Sequence, residues 1–510
     1  MRPAALYSRR IEGARTTTAL NIGVIAFAVV TVNGSIARAD DDRAQWLPPT
    51  RPVPPEGRQP ALDADERRPV PDYDGRGDDP TTAGDVLIWI PRGLFYPLYA
   101  VSEYVIRRPL RELVTWFDST PSTDPFWTFG PGNKSGILPS AVIDFGFRPS
   151  IGVYIYSEDA LVDGLELASH FAYGGPQWFR VTALSRYYLS WSEEERGNQL
   201  VQAKFIFSHR PDWIFYGIGP EADDGDASRY QAQFLEGAIK YQGGFWRSSS
   251  IMSWTGVRDA RFEDEGCCAE PMIGEAVERG FYGLPPLFSD GYFVSRTGFA
   301  LTIDTRPPRI LEAPPATDWV QPSATGIRLA THLEAMGGLR RTDLPDGSRT
   351  QIAMAHWGGA LTGFWDIYNQ RTISLELFAD FVDPIIAGRP IPFTELVSLG
   401  GSRPMQGFLE RRLLGRSALV ATLGYSYPIW AFLDGGIHYS IGNVFDKHAR
   451  DFDPRLLRQS FGFGFRGSGS RDNVFELLIA FGSETFFRGG GLDTFRFVIG
   501  ARDDYPLETK

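Results

Sequence analysis

The side chains able to carry chemistry are thinly spread along this sequence. Its six histidines are isolated, as in T-H-L-E (His332) and A-H-W-G (His356), and none falls in an H-E-x-x-H or paired metal-ligand spacing. No G-x-S-x-G nucleophile elbow occurs. Glu376 and Asp380 share a face of T-I-S-L-E-L-F-A-D-F-V, where two carboxylates are expected to tune a polar surface and not to perform acid/base work. Cys267 and Cys268 are the only cysteines and cannot build a disulfide framework, which leaves a vicinal disulfide, an intermolecular bridge or two inert thiols. No enzymatic activity, metal or cofactor is therefore expected. The densest polar pattern is L-G-G-S-R-P-M-Q-G-F-L-E-R-R-L-L-G (399–415). There Gly400, Gly401 and Gly407 permit sharp turns and close approach, and Arg403 and Gln406 offer hydrogen-bond donors beside Phe408.

The elements that must position this stretch follow an export leader. Arg2, Arg9, Arg10 and Arg15 precede an apolar run from Ala19 to Val32, then Ala37-Arg38-Ala39 and an acidic triplet. That is the layout of a secretory signal peptide over residues 1–39, since the run falls short of the ~20 residues needed to span a bilayer. Cleavage there would take the formal charge from -11 to about -15, because five arginines leave with one glutamate. An acidic mature chain argues against nucleic acid as a partner. Residues 40–85 are rich in proline and charge and are expected to form an extended periplasmic linker. Residues 86–118 place Leu94, Leu98, Val101 and Val105 at helical spacing before Pro109 breaks the pattern. This amphipathic segment suits a membrane interface, a barrel interior or the surface of another domain.

Beyond Gly136 the period changes to two. Ile373, Leu375, Leu377, Ala379 and Phe381 alternate with Glu376 and Asp380, and Phe495, Phe497 and Ile499 alternate with Arg496. Apolar-out, polar-in alternation, 14% aromatic residues and 55 glycines in an exported chain predict an all-β, antiparallel transmembrane barrel over 136–503. Eleven such segments centre near 143, 154, 169, 183, 204, 235, 250, 299, 331, 355 and 376, and five near 422, 438, 463, 478 and 498. Sixteen strands are thus expected, with long loops at 209–227, 259–292, 382–416 and 446–457 and short turns such as Gln242-Gly243 and Pro428. The proline-rich 305–324 link is an unusually long connection on the short-turn side.

The order of motifs resembles the BamA/TamA-type outer-membrane assembly and translocation barrels over roughly residues 136–502. G-G-S-R-P-M-Q-G-F followed by Leu414-Gly415 and G-Y-S-Y-P-I is similar to that family's sixth loop and the strand after it. F-L-D-G-G (Phe432, Asp434, Gly436), L-R-Q-S-F-G-F-G-F-R ending at Arg466, F-Y-G-I-G (215–219) and I-D-T-R-P (303–307) resemble further signatures. The resemblance implies a sixth loop folded into the lumen, its tip arginine meeting the aspartate of F-x-D-x-G. Gln406 stands where that arginine would be, so a weaker amide contact to Asp434 is expected, with Arg403 as a substitute. It also implies outer-membrane lipid as surroundings, unfolded outer-membrane proteins or periplasmic chaperones as partners, and a lateral seam between the first and last strands. The region 40–135 lacks the alternating strands of the family's POTRA domains, so a passive pore or structural barrel is the alternative expectation.

Overall fold

The computed structural model describes residues 127–129 and 134–503, apart from 191–198, 308–324, 344–348, 369–370, 403, 431–432 and 468–472. The expected signal peptide, linker and amphipathic helix, together with Arg403 and Phe432, lie outside the described residues.

Sixteen antiparallel strands close on themselves. The first eight are β1 (Ser135–Asp144), β2 (Ser150–Ser157), β3 (Leu165–Tyr173), β4 (Phe179–Ser190), β5 (Gln199–Phe215), β6 (Ser228–Trp246), β7 (Ser249–Glu263) and β8 (Tyr292–Asp304). The second eight are β9 (Gly326–Gly338), β10 (Ala353–Tyr368), β11 (Arg371–Pro384), β12 (Ser417–Trp430), β13 (Leu433–Phe445), β14 (Arg458–Gly467), β15 (Asn473–Ser483) and β16 (Leu492–Asp503). Each expected segment centre falls within its strand. Two turns are displaced from their expected places. Gln242-Gly243 lies inside β6, because the ladder to β7 continues past an irregularity at Gly244/Trp246 as far as Trp246 and Ser249. Pro428 lies inside β12 opposite Asp434, where the register shifts between Pro428 and Trp430. A residue without an N–H is tolerated beside such an irregularity.

Alternation sorts the side chains. Ile239, Leu333, Leu361, Leu377, Leu423 and Phe495 point outward and are exposed, whereas Arg186, Lys204, Glu236, Arg296, Glu334 and Asp380 point inward and are buried. An apolar belt contributed by strands all around the wall is stable only against lipid, where a closed sheet leaves no unpaired edge. Inside, charge is neutralised strand to strand: Arg258 donates to Glu236 at 2.9 Å and Arg296 to Glu334 at 2.6 Å. The Trp254 indole N–H adds a 3.0 Å bond to Glu334.

Closure is uneven. β15 and β16 run paired from Asn473↔Asp503 to Ser483↔Leu492, but β16 pairs with β1 at Val142↔Gly500, Ile143↔Ile499 and Asp144↔Val498, with one further backbone bond from Phe145 N to the Phe497 carbonyl at 3.0 Å. The opposite end of the same β1 edge is taken by a short lead strand, Trp127–Phe129, which pairs with Ser135–Ile137. Among the described residues no strand pairs with 138–141 on that edge, and this gap contains Pro139. Proline offers no N–H to a ladder and belongs on strand edges.

A charge on the outer belt is expected to be costly: Leu377→Arg should lower stability by about 2–4 kcal/mol if it lies near the bilayer midplane. Equilibrium unfolding in urea from lipid vesicles, followed by tryptophan fluorescence, measures this. A wild-type midpoint in the variant would mean that this face does not meet lipid.

Candidate functional site: the sixth loop and the strand seam

The loop between the neighbouring strands β11 and β12 (385–416) touches two walls of the barrel before it returns. Near its start, Glu395 is buried and accepts from Arg258 of β7 at 2.6 Å; it also accepts from the Tyr292 hydroxyl. Phe393 beside it packs on Phe262, with ring centroids 4.9 Å apart, and on Phe215 and Tyr230. Val397–Leu399 and Leu413–Gly415 then form a two-stranded ribbon. Between them Gly400 and Gly401, with φ of +102° and +83°, turn the chain through a conformation that favours glycine.

The loop tip seats against β14, β15 and β16. Gly407 N donates to Ser460 Oγ at 2.8 Å, and Thr494 Oγ1 donates to the Gly407 carbonyl at 2.8 Å. A Cβ on Gly407 would lie 2.0 Å from the Phe481 carbonyl oxygen, so only glycine allows this approach. Phe408 and Met405 are fully buried beside it.

Arg496 ties this loop to the seam. Its guanidinium donates to Asp144 at 3.1 and 2.9 Å, joining the last strand to the first. The same group donates to the carbonyls of Gly401 and of Gln406, the latter at 3.2 Å. Arg496 and Asp144 are both buried, so the bond is not screened by bulk water. One side chain thus reads the loop tip and the meeting of β1 with β16.

The expected contact between Gln406 and Asp434 does not form. Gln406 turns its amide N–H to the Ser402 carbonyl within the loop. Asp434 lies near the start of β13, opposite Pro428 and Arg466, whereas the loop tip meets Ser460 beside the far end of that strand. Ser460 is opposite Ser440, so six residues at ~3.3 Å each, about 20 Å, separate the two levels. Gly436 pairs across to Gly464 in the same lower region, and Arg466 donates to Glu476 at 2.9 Å. The F-x-D-x-G and terminal-arginine motifs therefore belong to one end of the barrel and the glycine loop to the other. Sequence reasoning missed Arg496 and Asp144; the one available signal was an arginine among phenylalanines on β16 and an aspartate ending β1.

The loops on this side meet across the mouth. The connection 216–227 crosses from β5 to the opposite wall, where Asn443 donates to the Pro220 carbonyl at 3.0 Å and Arg458 to the Ala222 carbonyl at 2.7 Å. Gly219 N donates to Leu414 of the sixth loop at 2.8 Å. Arg412, fully buried, lies over the Tyr216 ring at 4.1 Å. Burial pushes the Tyr216 hydroxyl above the ordinary tyrosine range against the opposing pull of Arg412, so it stays protonated at neutral pH. The loop 264–291 carries Cys267 and Cys268, joined as a vicinal disulfide.

Two substitutions separate the parts of this arrangement. Gly407→Ala should push the tip off β15 and make 399–415 cleavable by added protease in an otherwise folded barrel. Arg496→Ala, by breaking a buried pair, should cost about 3–5 kcal/mol and expose the same loop. Limited proteolysis and urea unfolding check both; a loop that stays protected in both variants would mean that neither contact holds it.

No protein-family model matches the sequence, and no curated protein does. Among solved structures, the chain is similar to BamA from Haemophilus ducreyi lacking POTRA domains 1–3, at 12% identity and a TM-score of 0.45, over 72% of this chain and 70% of that one. It is similar to CdiB from Acinetobacter baumannii at 9% identity and a TM-score of 0.41, over 72% and 60%. The alcaligin outer-membrane receptor FauA from Bordetella pertussis also matches, at 8% identity and a TM-score of 0.28, over 73% and 57%.

Proposed function

We infer that this chain is an outer-membrane barrel that inserts or translocates other proteins, or lipid, by opening the seam between β1 and β16. The observation that carries the reading is the short pairing of those strands, three opposed pairs and the Phe145–Phe497 backbone bond, against the full-length pairing of β15 with β16. A strand edge with unmet hydrogen bonds recruits another extended chain, and an edge held by so short a ladder releases at least cost. Arg496 supports the same reading, since a client displacing β16 from β1 also disturbs the pinned sixth loop. The partners are then unfolded outer-membrane proteins, with or without a periplasmic chaperone, and the surrounding lipid. A passive pore is disfavoured by the loops 216–227 and 385–416 that meet across the mouth.

Ile143 and Ile499 are directly opposed across the seam. Opposed antiparallel residues lie ~4.5–5.5 Å apart at Cα, a separation a disulfide bridges. In a Cys267→Ser/Cys268→Ser background, Ile143→Cys with Ile499→Cys should therefore lock the barrel on oxidation. The assay is the folding rate of an unfolded outer-membrane barrel added to vesicles containing the protein. Acceleration by the reduced form, lost on oxidation and regained with reductant, is the expected result. Equal acceleration by the locked form would sink the seam, and steady ion conductance without acceleration would make the protein a pore.

A further inference from the structure

Outside the seam and the sixth loop, one cluster of metal-ligating side chains stands in the lumen wall. His332 of β9, His356 of β10 and Asp380 of β11 come from three successive strands, 24 residues apart at each step. His356 Nε2 lies 2.9 Å from Asp380 Oδ2, and His332 Nε2 lies 3.3 Å from Asp380 Oδ1. The donor atoms of all three fall within 4.8 Å of one another. His356 and Asp380 are buried, and the His332 side chain is 9% exposed. His332 Nε2 is enclosed and, although 3.3 Å from Asp380 Oδ1, is not aligned with it for a hydrogen bond.

The register explains how they converge. His332 sits directly opposite Gly358 on β10, and Gly358 sits directly opposite Asp380 on β11. Two strand spacings, about 9.6 Å, separate the backbones of His332 and Asp380. Their side chains meet because the residue between them has none: a Cβ on Gly358 would come within 2.5 Å of Asp380 Oδ1. His356, two residues along β10, projects from the same face into that notch. Two imidazole nitrogens and one carboxylate oxygen, with a place left for water, make a three-protein-ligand tetrahedral zinc set. Metal bonds of ~2.0–2.2 Å require such donors to stand about 3.4 Å apart, close to the present spacing.

We propose that His332, His356 and Asp380, converging over Gly358, bind one zinc ion on the lumen wall. The ion replaces the hydrogen bond between His356 and Asp380 and draws both imidazole nitrogens and the carboxylate to one centre. Bound there, it cross-links β9, β10 and β11, so that this wall stays rigid independently of the seam.

The test uses the full mature chain folded in detergent micelles, carrying Cys267→Ser and Cys268→Ser so that no thiol competes. After chelator treatment, zinc chloride is titrated by calorimetry, with calcium chloride as the control. One zinc per chain and no calcium is expected, with binding weakened at least tenfold in His332→Gln and in Asp380→Asn. Gly358→Ala keeps every donor but fills the notch, and should weaken binding to a similar degree. Heat-modifiable gel mobility confirms that each variant is folded. Absence of zinc binding by the parent, or equal binding by folded His332→Gln and Gly358→Ala variants, would overturn the site and leave a hydrogen-bonded triad.

Discussion

Everything in this structure follows from the requirement that a sheet crossing lipid leave no backbone polar group unpaired. Sixteen strands meet that requirement by closing, and fifteen of the junctions do so with long ladders. The sixteenth does not. β16 departs from β1 beyond Gly500, whose φ of +143° lets the chain bend away, and the rest of the β1 edge is left to the short lead strand and the gap at Pro139. A closed barrel with one underpaired junction concentrates its freedom to open at a single place.

What compensates at that place is electrostatic. Arg496 and Asp144 supply a buried charge-assisted bond just where the ladder is short, and the same guanidinium is shared with two carbonyls of the sixth loop. Buried pairs stabilise only when their remaining donors are satisfied. The loop carbonyls meet that need, so the loop tip and the seam are held by the same side chain. At its other end the loop is held by Arg258 through Glu395, within the charge network of β6 to β9. The loop therefore spans between a strongly paired wall and a weakly paired one.

Much of the architecture was legible in the sequence. Period-two alternation marks a membrane strand because lipid and lumen demand opposite side chains, and each of the sixteen segment centres lies in its strand. Turn positions were less legible. Gln242-Gly243 and Pro428 have the residue types of turns, but hydrogen-bonded ladders with local irregularities carry the strands past them, as far as the pairs Trp246↔Ser249 and Trp430↔Leu433. The glycine-rich stretch 399–415 stood out from its residue types as a sharply turning loop, and its place in the lumen came from the resemblance; its partner was not legible.

By itself, the sequence determined that the chain is a sixteen-stranded barrel with a glycine-turned loop between its eleventh and twelfth strands, because those properties depend on neighbours along the chain. Only the tertiary structure decided which groups meet. Asp144 and Arg496 are 352 residues apart and touch because closure brings the first strand to the last. Gln406 and Asp434 are close in sequence yet stand at different levels of the barrel, because strand length and not sequence distance sets height along the wall. His332, His356 and Asp380 look like scattered polar residues until the register of β9, β10 and β11 aligns them across Gly358.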